Sequence, residues 1–179
     1  LRIRSTFLDS PGTYVSNQVY TINEPVKIVS DRLITGITYT SNVVQITVAQ
    51  DNADPQRKTD LTVFKAMAEA GISVDFITVQ PTTLMFTVSR EKAHRAEARL
   101  RELGLNPQME FNCAKVAVVG AAMTGIPGIM YKIVEALNDC DIDIQQAGDS
   151  YTNIWCLVKQ EDMKKAVQAL HDKFELGNY

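Results

Sequence analysis

The sequence predicts an α+β fold built twice, each copy an antiparallel sheet with two helices on one face. Three observations predict it. One offset of 70 residues superposes the chain from Val43 to Leu100 on Cys113 to Leu170 without a gap. Within each copy the hydrophobic period switches between 2 and 3.6 in the order β-α-β-β-α-β. Gly and Pro punctuate those switches where helices stop and strands turn. Such an internal repeat outranks any single motif as a guide to architecture.

The elements follow in order. "VVQITVAQ" from Val43 alternates apolar and polar residues, as a half-buried strand does, and answers "CAKVAVVG" from Cys113. Ile46 matches Val116, and Val48 matches Val118. Residues 60–70 place Leu61, Phe64, Met67 and Ala68 on one helical face, and Gly71 follows as a C-terminal stop. "TVFKAMAEAGISVDF" from Thr62 answers "KIVEALNDCDIDIQQ" from Lys132. Residues 72–79 and 83–89 alternate again around the turn "QPTT". "TLMFTVSR" from Thr83 answers "NIWCLVKQ" from Asn153. Ala93, Ala96, Leu100 and Leu103 stripe the second helix; Met163, Val167, Leu170 and Phe174 stripe its counterpart. This order is the ferredoxin-like split β-α-β topology. Apolar residues of both parities in Leu84–Phe86 and Ile154–Cys156 predict that both sheet faces are covered, by a paired domain or a second chain. Outside the repeat, "LRIRST" reads as a strand, "DSPGTYV" as a turn and short strand, and "RLITGITYT" (Arg32 to Thr40) as a further strand.

Composition excludes several function classes. The 179 residues are 45% hydrophobic and 22% charged, with net charge -3. A nucleic-acid or anionic-membrane surface would need clustered Lys and Arg. No apolar run approaches the ~20 residues of a membrane span. The start "LRIRSTFLDS" lacks an apolar h-region, so no signal peptide is expected. It also lacks an initiator Met, which predicts a piece of a longer chain. Cys113, Cys140 and Cys156 are sparse and odd in number, which suits a reducing compartment and buried thiols rather than disulfides. His94 and His171 have no ligand spacing.

Several ferredoxin-like functions also fall away. The central strands lack the stacking aromatics of an RNA-recognition module. The first loops lack the paired thiolates of a metal chaperone. Arg57 sits in the first loop, but no constellation suits an acylphosphatase. What remains is a small-molecule sensor. In "GAAMTGIPGIM" (Gly120 to Met130), Gly125 and Gly128 allow close backbone approach, and Pro127 is preset for the first helical turn. The unpaired N–H groups of that turn attract a carboxylate. The strand starts "ISVD" and "DIDI" are expected beside these helix N-termini, where backbone carbonyls would take an ammonium. A free α-amino acid carries both charges.

"PGI" after the first strand of a duplicated β-α-β-β-α-β chain resembles a pair of ACT domains, the amino-acid-sensing modules of biosynthetic enzymes. "LRIRSTFLDSPGTYV" resembles the segment closing the kinase domain of aspartate kinases. "RLITGITYT", "VFKAMAEAGISVDFI", "KVAVVGAAMTGIPGIMYKIVEAL" and "ALHDKFEL" resemble that family's regulatory region, over nearly the whole chain. The pattern is most similar to the monofunctional lysine- and diaminopimelate-pathway type and its separately made small subunit. The resemblance implies a kinase-domain tail and linker at 1–25. It implies a first ACT domain at 43–112, inserted into a second made of 26–42 plus 113–179. It implies that this chain holds no catalytic residues and no cofactor, ATP and Mg being used by a kinase domain or catalytic subunit. It implies a cytoplasmic homodimer that binds lysine, meso-diaminopimelate or threonine at ACT seams and feedback-inhibits aspartate phosphorylation.

The resemblance places effector contacts at Gln56, Lys58, Thr59, Asp60, Ser73, Val74, Asp75 and Gln80 in the first copy. In the second it places them at Met123, Gly125, Ile126, Pro127, Gly128, Asp143, Ile144 and Ser150. The resemblance makes Asp75 the carboxylate for a side-chain ammonium, the plainer reading being a solvated acid at a strand edge; its mate, Gln145, cannot neutralise a cation. The first loop, "QDNADPQRKTDL", departs from the pattern by lacking Pro-Gly. There Thr59 reads as an N-cap and Asp60 as a first-turn acid, while Arg57 and Lys58 either meet a second effector carboxylate or form a solvated loop. The rival reading is a dimerisation module that binds nothing. An enzyme in its own right would need a nucleophile, metal site or acid–base pair, and none is visible.

Overall fold

The computed structural model describes residues 2–3, 13–14, 33–50, 59–121, 123 and 126–177. The chain forms two compact units, Leu1–Asp31 and Arg32–Tyr179. The first contains β1 (Arg2–Ile3) and β2 (Thr13–Tyr14), paired antiparallel.

The second unit runs β3 (Ile34–Ala49), α1 (Thr59–Glu69), β4 (Asp75–Gln80), β5 (Thr83–Ser89), α2 (Arg90–Glu102) and β6 (Gln108–Gly120). It continues with α3 (Ile129–Asn138), β7 (Gln146–Asp149), β8 (Asn153–Lys159) and α4 (Met163–Lys173). One six-stranded sheet has the order β4-β5-β3-β6-β8-β7. Every neighbouring pair is antiparallel.

The two strands expected at Arg32–Thr40 and from Val43 onward are one 16-residue strand, β3. Its first part pairs with Lys115–Gly120, and its second part with β5. The polar pair Ser41–Asn42 does not end the strand. Asn42 sits in the left-handed region at φ 57°, its mate Asn112 does so at 58°, and the ladder shifts register beside them. Asn tolerates that conformation better than other side-chain-bearing residues, so the strand bends and continues. Val43 lies opposite its own repeat mate, Cys113. Thr40–Lys115 and Gln45–Glu110 are likewise images of one another. The duplication is thus a pseudo-two-fold about the Val43–Cys113 contact, and each long strand serves both halves.

Each half has its own core between sheet and helices. Val44, Ile46, Val48, Val63, Met67, Leu84, Phe86 and Leu100 form the first. Val116, Val118, Ile133, Leu137, Cys156, Val158 and Leu170 form the second. Burial of each large side chain stabilises by about 1.5–3 kcal/mol. The stripe expected on α1 is displaced. Thr59, Val63, Ala66 and Met67 are buried, Ala68 is exposed, and Leu61 is 62% exposed. Its mate in α3, Tyr131, is also exposed, so the outer face of each helix carries a large side chain at this position. On α2, Leu103 caps the helix rather than joining its buried stripe. On α4, Val167 and Phe174 are only partly buried, and Ala166 fills the stripe.

The other face of the sheet is closed by the chain itself at its centre. Val43, Cys113 and Leu157 cluster there with Phe76, beside buried Gln45, Thr87, Lys115 and Gln146. β4 and β7 stand at opposite ends of the strand order, yet the curl of the sheet brings them together. Gln146 Nε2 donates to Phe76 O at 2.8 Å and to Thr78 Oγ1 at 2.7 Å. Gln146 Oε1 accepts from Gln45 Nε2 at 2.8 Å. A Cβ on Gly148 would lie 3.0 Å from the Phe76 ring, so glycine allows this approach. The two repeats cover this central patch between them, so the expected domain pairing closes it within one chain.

Candidate functional site

The residues expected in one cleft per copy lie at two ends of each module. Ala49 and Gln80 both stand opposite Thr83, so the loop into α1 leaves from the end of β4. Asp75 stands opposite Thr87, at the start of β4, five residues or ~17 Å away. In a β-α-β crossover the two strands are parallel and the helix runs back between them. The helix N-terminus therefore adjoins the end of the second strand, not its start. Thr59, Asp60 and Gln80 share one end; Ser73, Val74 and Asp75 share the other. The same split separates Met123, Ile126, Pro127, Gly128 and Ser150 from Asp143 and Ile144. Gln56, Lys58 and Gly125 lie outside the described residues.

In the second half, α3 starts at Ile129, with Pro127 in the turn before it and Gly128 as N-cap at φ 92°. Among the described residues no side chain caps this N-terminus, so its first N–H groups keep their pull on an anion. The loop is pinned by Ala121 N–H on Leu33 O at 3.0 Å and Met123 N–H on Tyr151 O at 3.2 Å. A Cβ at Gly120 would sit 2.2 Å from Leu33 O, so only glycine fits this crossing. A cavity of about 420 Å³ lies between Met123, Ile126, Gly128 and Ile129 on one side and Ala147–Asp149 and Ile154 on the other. The start of α3 and Asp149 thus line one cavity whose other lining residues are mostly apolar.

The first half is built differently. Thr59 is buried as the first residue of α1 rather than preceding it as an N-cap. Asp60 Oδ1 accepts the Leu61 N–H at 2.8 Å, placing a carboxylate of the chain at this N-terminus. At the opposite end, Asp75 is engaged. Its Oδ1 accepts the Phe76 N–H at 2.7 Å, and its Oδ2 forms an ion pair with Lys115 Nζ. Lys115 Nζ also lies 5.0 Å from the Trp155 ring centroid, over the indole. Burial pushes the Asp75 carboxyl up. The Lys115 and Phe76 hydrogen bonds and the Lys115 charge outweigh it and hold the pKa below the usual carboxylate value. The side chains differ in access: Lys115 is 8% exposed, Asp75 67%. A cavity of about 350 Å³ opens on this pair, lined also by Ser73, Ser89 and Lys92. Ser73 lies at this cavity, whereas Val74 packs against the first core.

Sequence reasoning missed Lys115, Gln45, Gln146 and Trp155. Its one available signal was a lysine inside the apolar run "CAKVAVV". Among the described residues no group of His, Cys, Asp and Glu could hold a metal ion, and no helix is long and apolar enough to cross a membrane.

Residues 108–172 match the family model of the ACT domain. Aspartokinase 1 of Bacillus subtilis (strain 168) is 44% identical over 99% of this chain. The chain is homologous to the regulatory region of aspartokinases. It spans 43% of that relative's length, and 43% of the aspartokinase of Corynebacterium glutamicum, to which it is 29% identical. Solved structures of the family agree with this aspartokinase-like ACT fold. The regulatory subunit of aspartate kinase from Thermus thermophilus, in ligand-free form, has a TM-score of 0.72 and 26% identity. The match covers 79% of this chain and 99% of that one. A chain of the aspartokinase alpha and beta subunit structure has a TM-score of 0.73 and 28% identity, over 80% and 99%.

Proposed function

We propose that this chain is the feedback sensor of a cytoplasmic aspartate kinase. It binds a free end-product amino acid, lysine or meso-diaminopimelate, with threonine the third candidate, at ACT seams of a homodimer. Binding lowers aspartate phosphorylation by the kinase domain or catalytic subunit. The modules are 43–112 and 26–42 plus 113–179, a division supported by the two separate cores. Residues 1–25 belong to the kinase-domain tail and linker. Similarity to aspartokinase regulatory subunits supports the class.

One observation carries the amino-acid reading: the uncapped N-terminus of α3 faces Asp149 across a cavity of about 420 Å³. An α-carboxylate suits the N–H groups, and an α-ammonium suits Asp149. Asp75 is the proposed acceptor for a second ammonium, on an effector's side chain. The effector favours one arrangement of the parent enzyme, and the population shifts by its differential affinity, of order 1–3 kcal/mol. The alternative of a purely structural module is favoured by Asp60, which fills the α1 N-terminus with the chain's own carboxylate. A thermal-shift screen of the 20 amino acids and meso-diaminopimelate separates the two. A sensor melts higher with its effector alone, since a ligand bound only to the native state stabilises it. No shift with any of them supports the structural module.

A further inference from the structure

Lys115 is the only buried charged residue among the described residues. A buried ammonium needs compensation, and Asp75 and the Trp155 face provide it. The two partners belong to different repeats: Asp75 opens β4 in the first, while Lys115 and Trp155 lie on β6 and β8 in the second. Access is one-sided, because the lysine is enclosed and the carboxylate faces the cavity of about 350 Å³. A cation arriving through that cavity therefore meets a carboxylate that is already neutralised. It has to share Asp75 with Lys115 or displace it. At the repeat mate the same place holds Gln45, which donates to Gln146 and leaves no cation there.

We infer that Lys115 is a specificity-determining residue: it occupies the Asp75 seat as an internal ammonium, competes with any ligand ammonium for it, and moves off Trp155 when the ligand wins. This deepens the effector reading above and rests on it. Discrimination at the seat is then set by competition. A ligand whose only gain there is one ammonium contact is weakened, because each new contact is bought by breaking an existing one.

The chain has a single tryptophan, so Trp155 emission reports on Lys115 directly. The 179-residue chain and its Lys115→Gln variant, which installs the residue of the mate position, are titrated with L-lysine and with meso-diaminopimelate. Calorimetry and tryptophan emission are read in parallel. The expected result is a ligand-dependent emission change in the wild type, absent in Lys115→Gln, together with about fivefold or tighter binding by the variant. Lys115→Arg, which keeps a cation, binds no tighter than wild type. Asp75→Asn added to Lys115→Gln cancels the gain. If Lys115→Gln does not fold, Lys115→Met takes its place, and the wild-type emission needs no variant. Equal affinities for wild type and Lys115→Gln, or saturation of the wild type without an emission change, would overturn the inference and leave the effector reading standing. Absence of binding by both proteins to both ligands would overturn the two together.

Discussion

Asp75 and Lys115 have as repeat mates Gln145 and Gln45, and the two seams are closed by different chemistry. On one side a carboxylate of the first repeat meets a buried lysine of the second. On the other, Gln45 meets Gln146 in a neutral amide pair at 2.8 Å, and the buried Gln145 Oε1 has no hydrogen-bond partner among the described residues. The helix ends differ in the opposite sense: α1 begins with Asp60 in its first turn, while α3 begins without an acid or a side-chain cap. Duplication thus kept the backbone and redistributed the charge. In the first half the chain's own groups engage both ends, Asp60 at the helix and Lys115 on Asp75, whereas in the second the helix end is open and the opposite end is neutral.

The largest expected effect contrasts the two cores. Phe86 and its mate Cys156 are both buried, at 0% and 1% exposure, but differ greatly in volume. Phe86→Ala should cost about 3–5 kcal/mol, and Cys156→Ala only about 1 kcal/mol. Urea midpoints measure both. Similar losses would mean that the two halves are not equivalent packing sites.

A middle-sized effect separates the members of the ion pair. Asp75→Asn leaves Lys115 buried without its anion, whereas Lys115→Met leaves an accessible carboxylate that water can solvate. We expect Asp75→Asn to cost about 1–2 kcal/mol, less than the ~3–5 for a fully buried pair because Asp75 is 67% exposed. Lys115→Met should cost under about 1 kcal/mol. The sign of the pH dependence follows from the lowered pKa of Asp75. Its stabilisation is complete above the unfolded value of 3.8 and is lost as pH falls through the lower folded value. Urea midpoints below pH 4 should therefore show the wild type converging on Lys115→Met. A constant gap down to pH 2 would show that the pair adds nothing to the folded state.

The smallest effect concerns the thiols. Burial pushes the Cys156 thiol up to about 11 and raises Cys113 as well, while Cys140 is partly exposed. Alkylation at pH 8, followed by mass spectrometry, should modify Cys140 first. Early modification of Cys156 would mean that the second core opens readily.

Much of the fold was legible because the repeat reports each element twice. Helix and strand order through the last helix of each copy, the Gly71 stop (φ 62°) and the turn after Gln80 could be read from periodicity and turn residues, but the sixth strand expected in the second copy is supplied by Ile34–Thr40, ahead of the repeat. The buried face of α1 was not, because Leu61 and Ala68 form a plausible stripe beside the one that Thr59, Val63 and Ala66 bury. The union of Arg32–Thr40 with the next strand was hidden by Ser41–Asn42, which reads as a turn but folds as a left-handed bend within a continuous ladder. For the candidate site, the residue types at Asp75 and Gly128 were readable, but their placement in one cleft was not. Placing them needs the direction of the crossover, which local pattern does not carry. The Lys115–Asp75 and Gln146–Phe76 contacts depend on the curl that brings β4 to β7, a property of the whole sheet.

The amino-acid reading is tested most directly by calorimetric titration of this chain with L-lysine, meso-diaminopimelate and L-threonine, alongside Asp149→Asn. The account predicts saturable binding of at least one of them, weakened tenfold or more in the variant by loss of a charge-assisted contact. No binding of any of the three, or binding that Asp149→Asn leaves unchanged, would contradict it.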